Sequence, residues 1–343
     1  MTAHENHRAD AAAAVPATMN GWRQERYGGP AVVALAAVGV RAPRRGEVLL
    51  RLHATGLNNG DVRVMRGEPL LVRTVFGLRR PKQPVRGMDV AATVIAVGDG
   101  VADFAVADEV VCELPGGGGL APYAVAPAAR LVRRPDALDP VLAASLAVAA
   151  GTAWQALDRV GVAAGHRVLV IGASGGVGTF AVQLAVHRGA EVWALCGERN
   201  RALVEGIGAS RTFDYRSVQP GSDALGSGFD AVIDIAGTAP LSALQGLVRD
   251  GGAIALVSGE GGRVLGPIGR ILAASVRSLG SKRPLRPVAA VAKTDVLTAL
   301  VELAASGALR PVIERTYPFA EGGAALARLA DGHVVGKLVV IAP

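Results

Sequence analysis

Only two cysteines, Cys112 and Cys196, occur in 343 residues. Two thiols so far apart form no disulfide framework and supply no four-cysteine zinc lobe, so a reduced, cytoplasmic protein is expected. Among the histidines (His4, His7, His53, His166, His187 and His333), none pairs with a cysteine, or with another histidine beyond the first few residues, at zinc-ligand spacing. No metal is therefore expected. No apolar run reaches the roughly 18 residues of a membrane span. Helix-turn-helix, zinc-finger and RNA-recognition signatures are lacking, which argues against nucleic acid as a partner. Residues 1–18 have no basic start followed by an apolar core, as a signal peptide would. They read as a disordered extension, with the fold beginning at Met19. Aromatic residues amount to only 4%.

What the chain has is aliphatic residue and glycine. Half of it is hydrophobic, mostly Ala, Val and Leu, which supports a sizeable core. The 45 glycines fall in short clusters and mark turns and close backbone approaches. The net charge is +7, which attracts anions such as phosphorylated small molecules. The densest basic run, Arg73 to Arg86 with Arg79, Arg80 and Lys82, reads either as a solvated face or as a positive rim for such an anion.

Two rhythms divide the chain. From about Trp22 to Val132, short strand-like runs such as 48–52 and 91–97 are punctuated by Gly and Pro, as in a compact β-barrel-like domain. Beyond Pro140, strands at 166–171, 191–195, 229–235 and 253–257 alternate with helices at 178–187 and 201–207. Apolar strands separated by helices indicate a parallel sheet covered on both faces. After Ser281 the alternation is expected to stop, with a helix over 295–305 and a last strand over 337–341 returning to the first domain. The expected organisation is an extension over 1–18, a β-barrel-like domain over 19–140, a dinucleotide-binding domain over 141–280, and a return to the first domain over 281–343. The fold class is α/β.

The sharpest motif is Gly172-Ala173-Ser174-Gly175-Gly176-Val177-Gly178, between a strand and a helix. Glycines there let the backbone approach a pyrophosphate, and the helix N-terminus offers free amides and positive dipole. The next strand ends at Cys196, where an NAD-binding protein would carry an acid for the ribose 2′-hydroxyl. Arg199 and Arg201 follow, with Glu198 the nearest acid. Loss of the carboxylate plus nearby cations favours the 2′-phosphate of NADPH. No serine nucleophile elbow is present, and hydride transfer needs none.

These segments resemble the medium-chain dehydrogenase/reductase superfamily, in particular its zinc-free quinone oxidoreductases and related bacterial NAD(P)-dependent alcohol dehydrogenase-like proteins. The resemblance rests on the 172–178 loop, Gly151-Thr152-Ala153-Trp154, and the 230–237 segment. Gly56 to Asp61, Val85 to Ala91, Phe213-Asp214-Tyr215 and Gly336 to Val340 extend it. It implies a GroES-like β-barrel domain built from both chain ends and a central Rossmann domain, with nicotinamide and substrate between them. Relatives that use zinc carry Cys and His in the loop corresponding to 56–61, and Gly-His-Glu where this chain has Gly87-Met88-Asp89. By position, Asn58 corresponds to a polar residue lining the cleft beside the nicotinamide. Thr152 corresponds to a carboxamide-side contact and Tyr215 to a 2′-phosphate contact, while Val257, Ser258 and Gly259 flank the nicotinamide. Structural readings stand beside these: Asn58 as a turn cap, Thr152 as a helix cap, Tyr215 as core. Asn59-Gly60 replaces a usual Asn-Pro and reads as a more flexible turn. The stretch 62–69 holds no tyrosine to donate a proton.

The expected activity is metal-free hydride transfer from NADPH to a quinone or an α,β-unsaturated carbonyl, with Asn58 donating to the acceptor oxygen. The alternatives are a pathway-specific enoyl or ketone reductase, and an NADPH-binding sensor, scaffold or non-redox protein. Relatives suggest a homodimer formed through an edge strand, and 253–257 is the candidate edge.

Overall fold

In the computed structural model, residues 15–258 and 262–343 are described. The chain starts with an antiparallel hairpin of β1 (Thr18–Gln24) and β2 (Val33–Gly39). Strand β3 (Glu47–Leu57) is long, apolar and mostly buried. It runs straight into helix α1 (Asn59–Arg66) through Asn58, whose backbone is extended. The Asp61 carboxylate accepts the Asn58 N–H at 2.9 Å, a reciprocal cap across three residues. The expected flexible Asn59-Gly60 turn is thus the capped first turn of a helix.

After α2 (Val72–Phe76) come β4 (Asp89–Val97), β5 (Glu109–Glu113), β6 (Tyr123–Pro127) and β7 (Val132–Arg133). The basic run before β4 divides in two. Arg79, Arg80 and Lys82 are exposed, but Arg86 is fully buried. Neither a solvated face nor a rim describes Arg86. Burial presses its guanidinium down to about 10, opposed by the charge of Asp61. Burial likewise lifts Asp61 to about 6.

Helices α3 (Pro140–Ala143) and α4 (Ala147–Val160) lead into the parallel sheet. The succession is β8 (Arg167–Ile171), α5 (Gly176–His187), β9 (Glu191–Cys196), α6 (Arg201–Gly206), β10 (Arg211–Asp214) and β11 (Phe229–Asp234). Helix α7 (Leu241–Leu247), β12 (Val248–Leu256), α8 (Ile268–Ser278) and β13 (Leu285–Pro287) complete it. All pairs are parallel, in the order β10-β9-β8-β11-β12-β13. Alanines on α4 and α5, among them Ala149, Ala153, Ala181 and Ala185, are buried in one core cluster with β8 residues. Their small side chains let helix and sheet approach closely. The alternation does not stop at Ser281, because β13 is the sixth strand, beyond the expected boundary at 280. For the same reason the 253–257 segment is not an edge: β12 lies between β11 and β13.

The last elements are α9 (Thr294–Ala305), β14 (Ile313–Pro318), α10 (Gly322–Ala330) and β15 (Lys337–Ile341). Strand β15 pairs antiparallel with β3, so the chain end joins a seven-stranded sheet with β3 to β7 and β14. Just before β15, the Gly336 N–H donates to the Ser174 carbonyl at 2.8 Å, tying the chain end to the 172–178 loop. Among the described residues no helix is long and apolar enough to cross a membrane.

Candidate active site

The parallel strand order reverses between β8 and β11, the place where such sheets open a crevice at the strands' carboxyl ends. A cleft of about 1170 Å³ lies there, extending from Gly197 and Tyr215, past the 174–177 loop, to Asn58 and Lys337. Two glycines shape the loop. Gly172 has φ +87, and a Cβ on Gly178 would lie 2.2 Å from the Gly172 carbonyl oxygen. Only glycine allows this close passage of strand end and helix start. Ser174, Gly175, Gly176 and Val177 line the cleft. Ala173 is fully buried, and Gly178 packs beneath the loop, so neither lines the cleft. The amide end of the 12-residue α5 faces the loop and suits a pyrophosphate.

At one end, Cys196 stands where a ribose-binding acid would be. Burial pushes its thiol up to about 11, so it carries no charge there. The Glu198 carboxylate is turned to Arg201 at 3.2 Å, and Arg201 also donates to Thr212 at 2.9 Å. Arg201, expected near the phosphate, is therefore engaged elsewhere and Glu198 with it. Arg199 lines the cleft and is exposed. Tyr215 also lines it and is 38% exposed, which excludes a core role. Sequence reasoning missed Asn200 and Arg216. A Cβ on Gly197 would lie 3.5 Å from the Tyr215 ring, 3.9 Å from the Arg216 guanidinium and 4.0 Å from the Asn200 amide. The available signal was the position of Arg216 immediately after Tyr215.

At the other end, Thr152 lies within α4 and donates to the Val148 carbonyl at 2.6 Å, so it caps nothing while lining the cleft. Val257 and Ser258 line it too, and Arg63 reaches Ser258 at 3.4 Å. Gly259 lies outside the described residues. Asn58 joins a buried network. Its amide donates to the Asp89 carboxylate at 3.0 Å, and its carbonyl oxygen accepts from the Lys337 ammonium at 2.5 Å. Lys337 stands 3.6 Å from Asp89, and the backbone N–H of Val148 donates to the same carboxylate at 3.1 Å. Burial raises Asp89 and lowers Lys337, and each charge opposes the shift of the other. Lys337 was not anticipated as a site residue. It lies 279 positions from Asn58, and its only signal was the Gly336-Lys337 segment of the family resemblance.

This donor set does not suit zinc. Where relatives carry ligands, Asn58 and Asp89 are bonded to each other and to an ammonium, which repels a cation. Among the described residues no three His, Cys, Asp or Glu side chains cluster as a metal requires.

Residues 44–136 match the alcohol dehydrogenase GroES-like domain, and residues 207–340 match a zinc-binding dehydrogenase family. A chloroplast envelope quinone oxidoreductase homolog from Arabidopsis thaliana is 34% identical, covering 94% of this chain and 98% of that protein. An NADPH-dependent alkenal/one oxidoreductase of the same plant is 29% identical over 96% of this chain and 81% of its own. The structure of the quinone oxidoreductase from Coxiella burnetii superposes with a TM-score of 0.83 at 26% identity, over 95% of this chain and 100% of that one. The two sheets are thus a GroES-like domain and a Rossmann domain, and the chain belongs to the medium-chain dehydrogenase/reductase family. Within that family it is an oxidoreductase that uses a nicotinamide cofactor, similar to the quinone oxidoreductases.

Proposed function

We propose that this enzyme reduces a quinone or an α,β-unsaturated carbonyl with NADPH and without metal. The observation that carries the reading is the single cleft joining a phosphate-suited corner to the buried Asn58–Lys337 pair. The 174–177 loop would hold the pyrophosphate. Arg199, Arg216, Asn200 and Tyr215 would hold the 2′-phosphate, with Cys196 in place of the acid that would grip a free ribose 2′-hydroxyl. Thr152, Val257 and Ser258 would position the nicotinamide, which when bound supplies the hydride.

The protein's own contribution is then electrostatic and positional. Negative charge develops on the acceptor oxygen, and the buried Asn58 and Lys337 side chains offer donors on the cleft wall. Asp89 holds both side chains in place and fixes the amide orientation of Asn58. Quinone and enone share this requirement, so one site serves either. The relatives' names, a quinone oxidoreductase homolog and an alkenal/one oxidoreductase, support the same two classes. We further assign the wall of the cleft on the GroES-like side to the acceptor, a homodimer as the working assembly, and the cytoplasm as the compartment.

The test is NADPH oxidation by purified protein with 1,4-benzoquinone, 9,10-phenanthrenequinone and simple enones. Turnover with at least one class is expected. Tight NADPH binding with no oxidation across the panel would refute the acceptor class and favour a dedicated biosynthetic enoyl or ketone substrate or a non-redox role.

A further inference from the structure

Hydride reduction of a conjugated carbonyl leaves an oxygen that needs a proton. The ammonium beside Asn58 has one to give, but Lys337 is only 2% exposed, and an acceptor seated against it in the cleft would cover that remaining surface. Behind it stands Asp89, fully buried. In the β4–β5 ladder Asp89 is directly opposite Glu113. The Leu114 N–H donates to the Met88 carbonyl at 2.7 Å, the bond that brackets a non-hydrogen-bonded antiparallel pair. In such pairs the side chains stand closest, with Cα atoms about 4.5 Å apart. Two carboxylates so placed repel, unless one holds a proton.

Glu113 is not sealed in. Its side chain is 25% exposed and lines a second cavity of about 190 Å³ together with Arg130, Ala147 and Lys293. None of these four residues lines the cofactor cleft. Burial and the Asp89 charge push Glu113 up to about 7, opposed by Arg130.

We propose that Glu113, Asp89 and Lys337 form a proton inlet through the β4–β5 ladder, carrying protons from the second cavity to the acceptor oxygen in the cleft. The proposal rests on the reductase reading above and names its missing proton source. In each turnover the acceptor gains one hydride and one proton, and the nicotinamide is oxidised. The Lys337 ammonium gives the proton to the acceptor oxygen and becomes an amine. Glu113, protonated at rest, passes its proton to the Asp89 carboxylate, Asp89 hands it on to that amine, and Glu113 takes a new proton from solvent. One proton leaves water and no other reactant is consumed. The groups facing Glu113 are Asp89 on β4, Asp61 on α1, Arg130 at 3.9 Å in the turn after β6, and Lys293 and Asp295 at the start of α9. Neighbouring Cys112, held at about 12 by burial, stays a thiol throughout.

The test compares two readouts. One is the titration of the Glu113 carboxyl by carbon-13 NMR in ligand-free protein. The other is the pH profile of kcat for NADPH with 9,10-phenanthrenequinone. Glu113 is expected to titrate near 7, and kcat to fall about tenfold per pH unit above that point. Arg130→Met removes the cation that holds Glu113 down, so both the NMR titration and the kinetic limb move to higher pH together. Glu113→Gln flattens the limb and lowers kcat roughly tenfold or more at about pH 6, with NADPH affinity unchanged. Arg130 is 37% exposed at its side chain, so its variant keeps the test decisive even if Glu113→Gln loses its fold. A shifted NMR titration with an unmoved kinetic limb would overturn the inlet and leave the reductase standing. A wild-type profile in Glu113→Gln would do the same. Absence of NADPH oxidation by the unmodified enzyme with every acceptor would overturn the reductase reading and the inlet with it.

Discussion

Replacing Lys337 by Met keeps most of the side-chain volume and removes the ammonium. Asp89 is then left with two donors, the Asn58 amide at 3.0 Å and the Val148 N–H at 3.1 Å. Removing one partner of a buried ion pair costs about 3–5 kcal/mol, and the two remaining donors place this case near the lower end, at about 3 kcal/mol. At roughly 2 °C per kcal/mol for a large chain, the melting temperature should fall by about 6 °C. The pH dependence has a definite sign. Burial already raises Asp89 in the folded state, and loss of the Lys337 charge raises it further. A carboxyl raised on folding destabilises the protein as pH climbs from its unfolded value through its folded one. The deficit of Lys337→Met should therefore be small well below the unfolded Asp value of about 3.9, where Asp89 is neutral in both states, and should grow as pH rises through the folded value. Thermal melts of ligand-free protein at acidic and alkaline pH read this directly. Adding Asp89→Asn removes the stranded charge and should recover most of the loss, a non-additive result. Equal melting of Lys337→Met and the parent at alkaline pH, or a deficit that grows on acidification, would refute the pairing argument.

Three further outcomes follow from the cleft. Asn58→Ala removes a donor at the acceptor oxygen and should lower kcat roughly tenfold to a hundredfold while the NADPH dissociation constant stays put, as steady-state kinetics beside a binding titration will show. Gly178→Ala puts a methyl group 2.2 Å from the Gly172 carbonyl oxygen, so the loop must shift. Fluorescence titration should then find NADPH binding largely abolished in a protein that still unfolds cooperatively. Prolonged dialysis against a zinc chelator should leave NADPH oxidation unchanged, because the Asn58–Asp89–Lys337 donor set offers no zinc site; lost activity restored by zinc would reverse that conclusion.

The central sheet was readable because its strands are continuous apolar runs and the 172–178 loop sits between one of them and a helix. Both are local patterns, and the structure keeps them within a residue or two at 167–171, 191–196 and 229–234. Strand β13 escaped because it is three residues long, Leu285–Pro287, inside a basic and Pro-containing stretch with no periodicity to detect. The helix after Asn58 escaped because Asn-Gly is a strong turn signal, although Asp61 three residues on offered a capping pattern that outweighs it. Arg86 was hidden in a charge run whose other members are exposed. At the cleft, the residues clustered around Gly172–Gly178 and Cys196 were legible as motifs. Lys337 and Asp89 were not, since their meaning comes from β15 lying beside β3 and β3 beside β4, a pairing that joins opposite ends of the chain. Asp89 in particular was read as part of the 85–91 family match and as standing in a triplet that differs from the zinc relatives' Gly-His-Glu, whereas its buried position makes it the counterion of Lys337.

The most direct test of the account is kcat/KM for NADPH and NADH with 9,10-phenanthrenequinone, in the parent enzyme and in the Arg199→Ala/Arg216→Ala double variant. Two charge-assisted contacts to a 2′-phosphate are together worth about 3 kcal/mol or more, so NADPH should be favoured by roughly a hundredfold, and the variant should lose that preference while NADH kinetics stay the same. Equal use of both cofactors by the parent, or an undiminished NADPH preference in the variant, would contradict the assignment of this corner of the cleft.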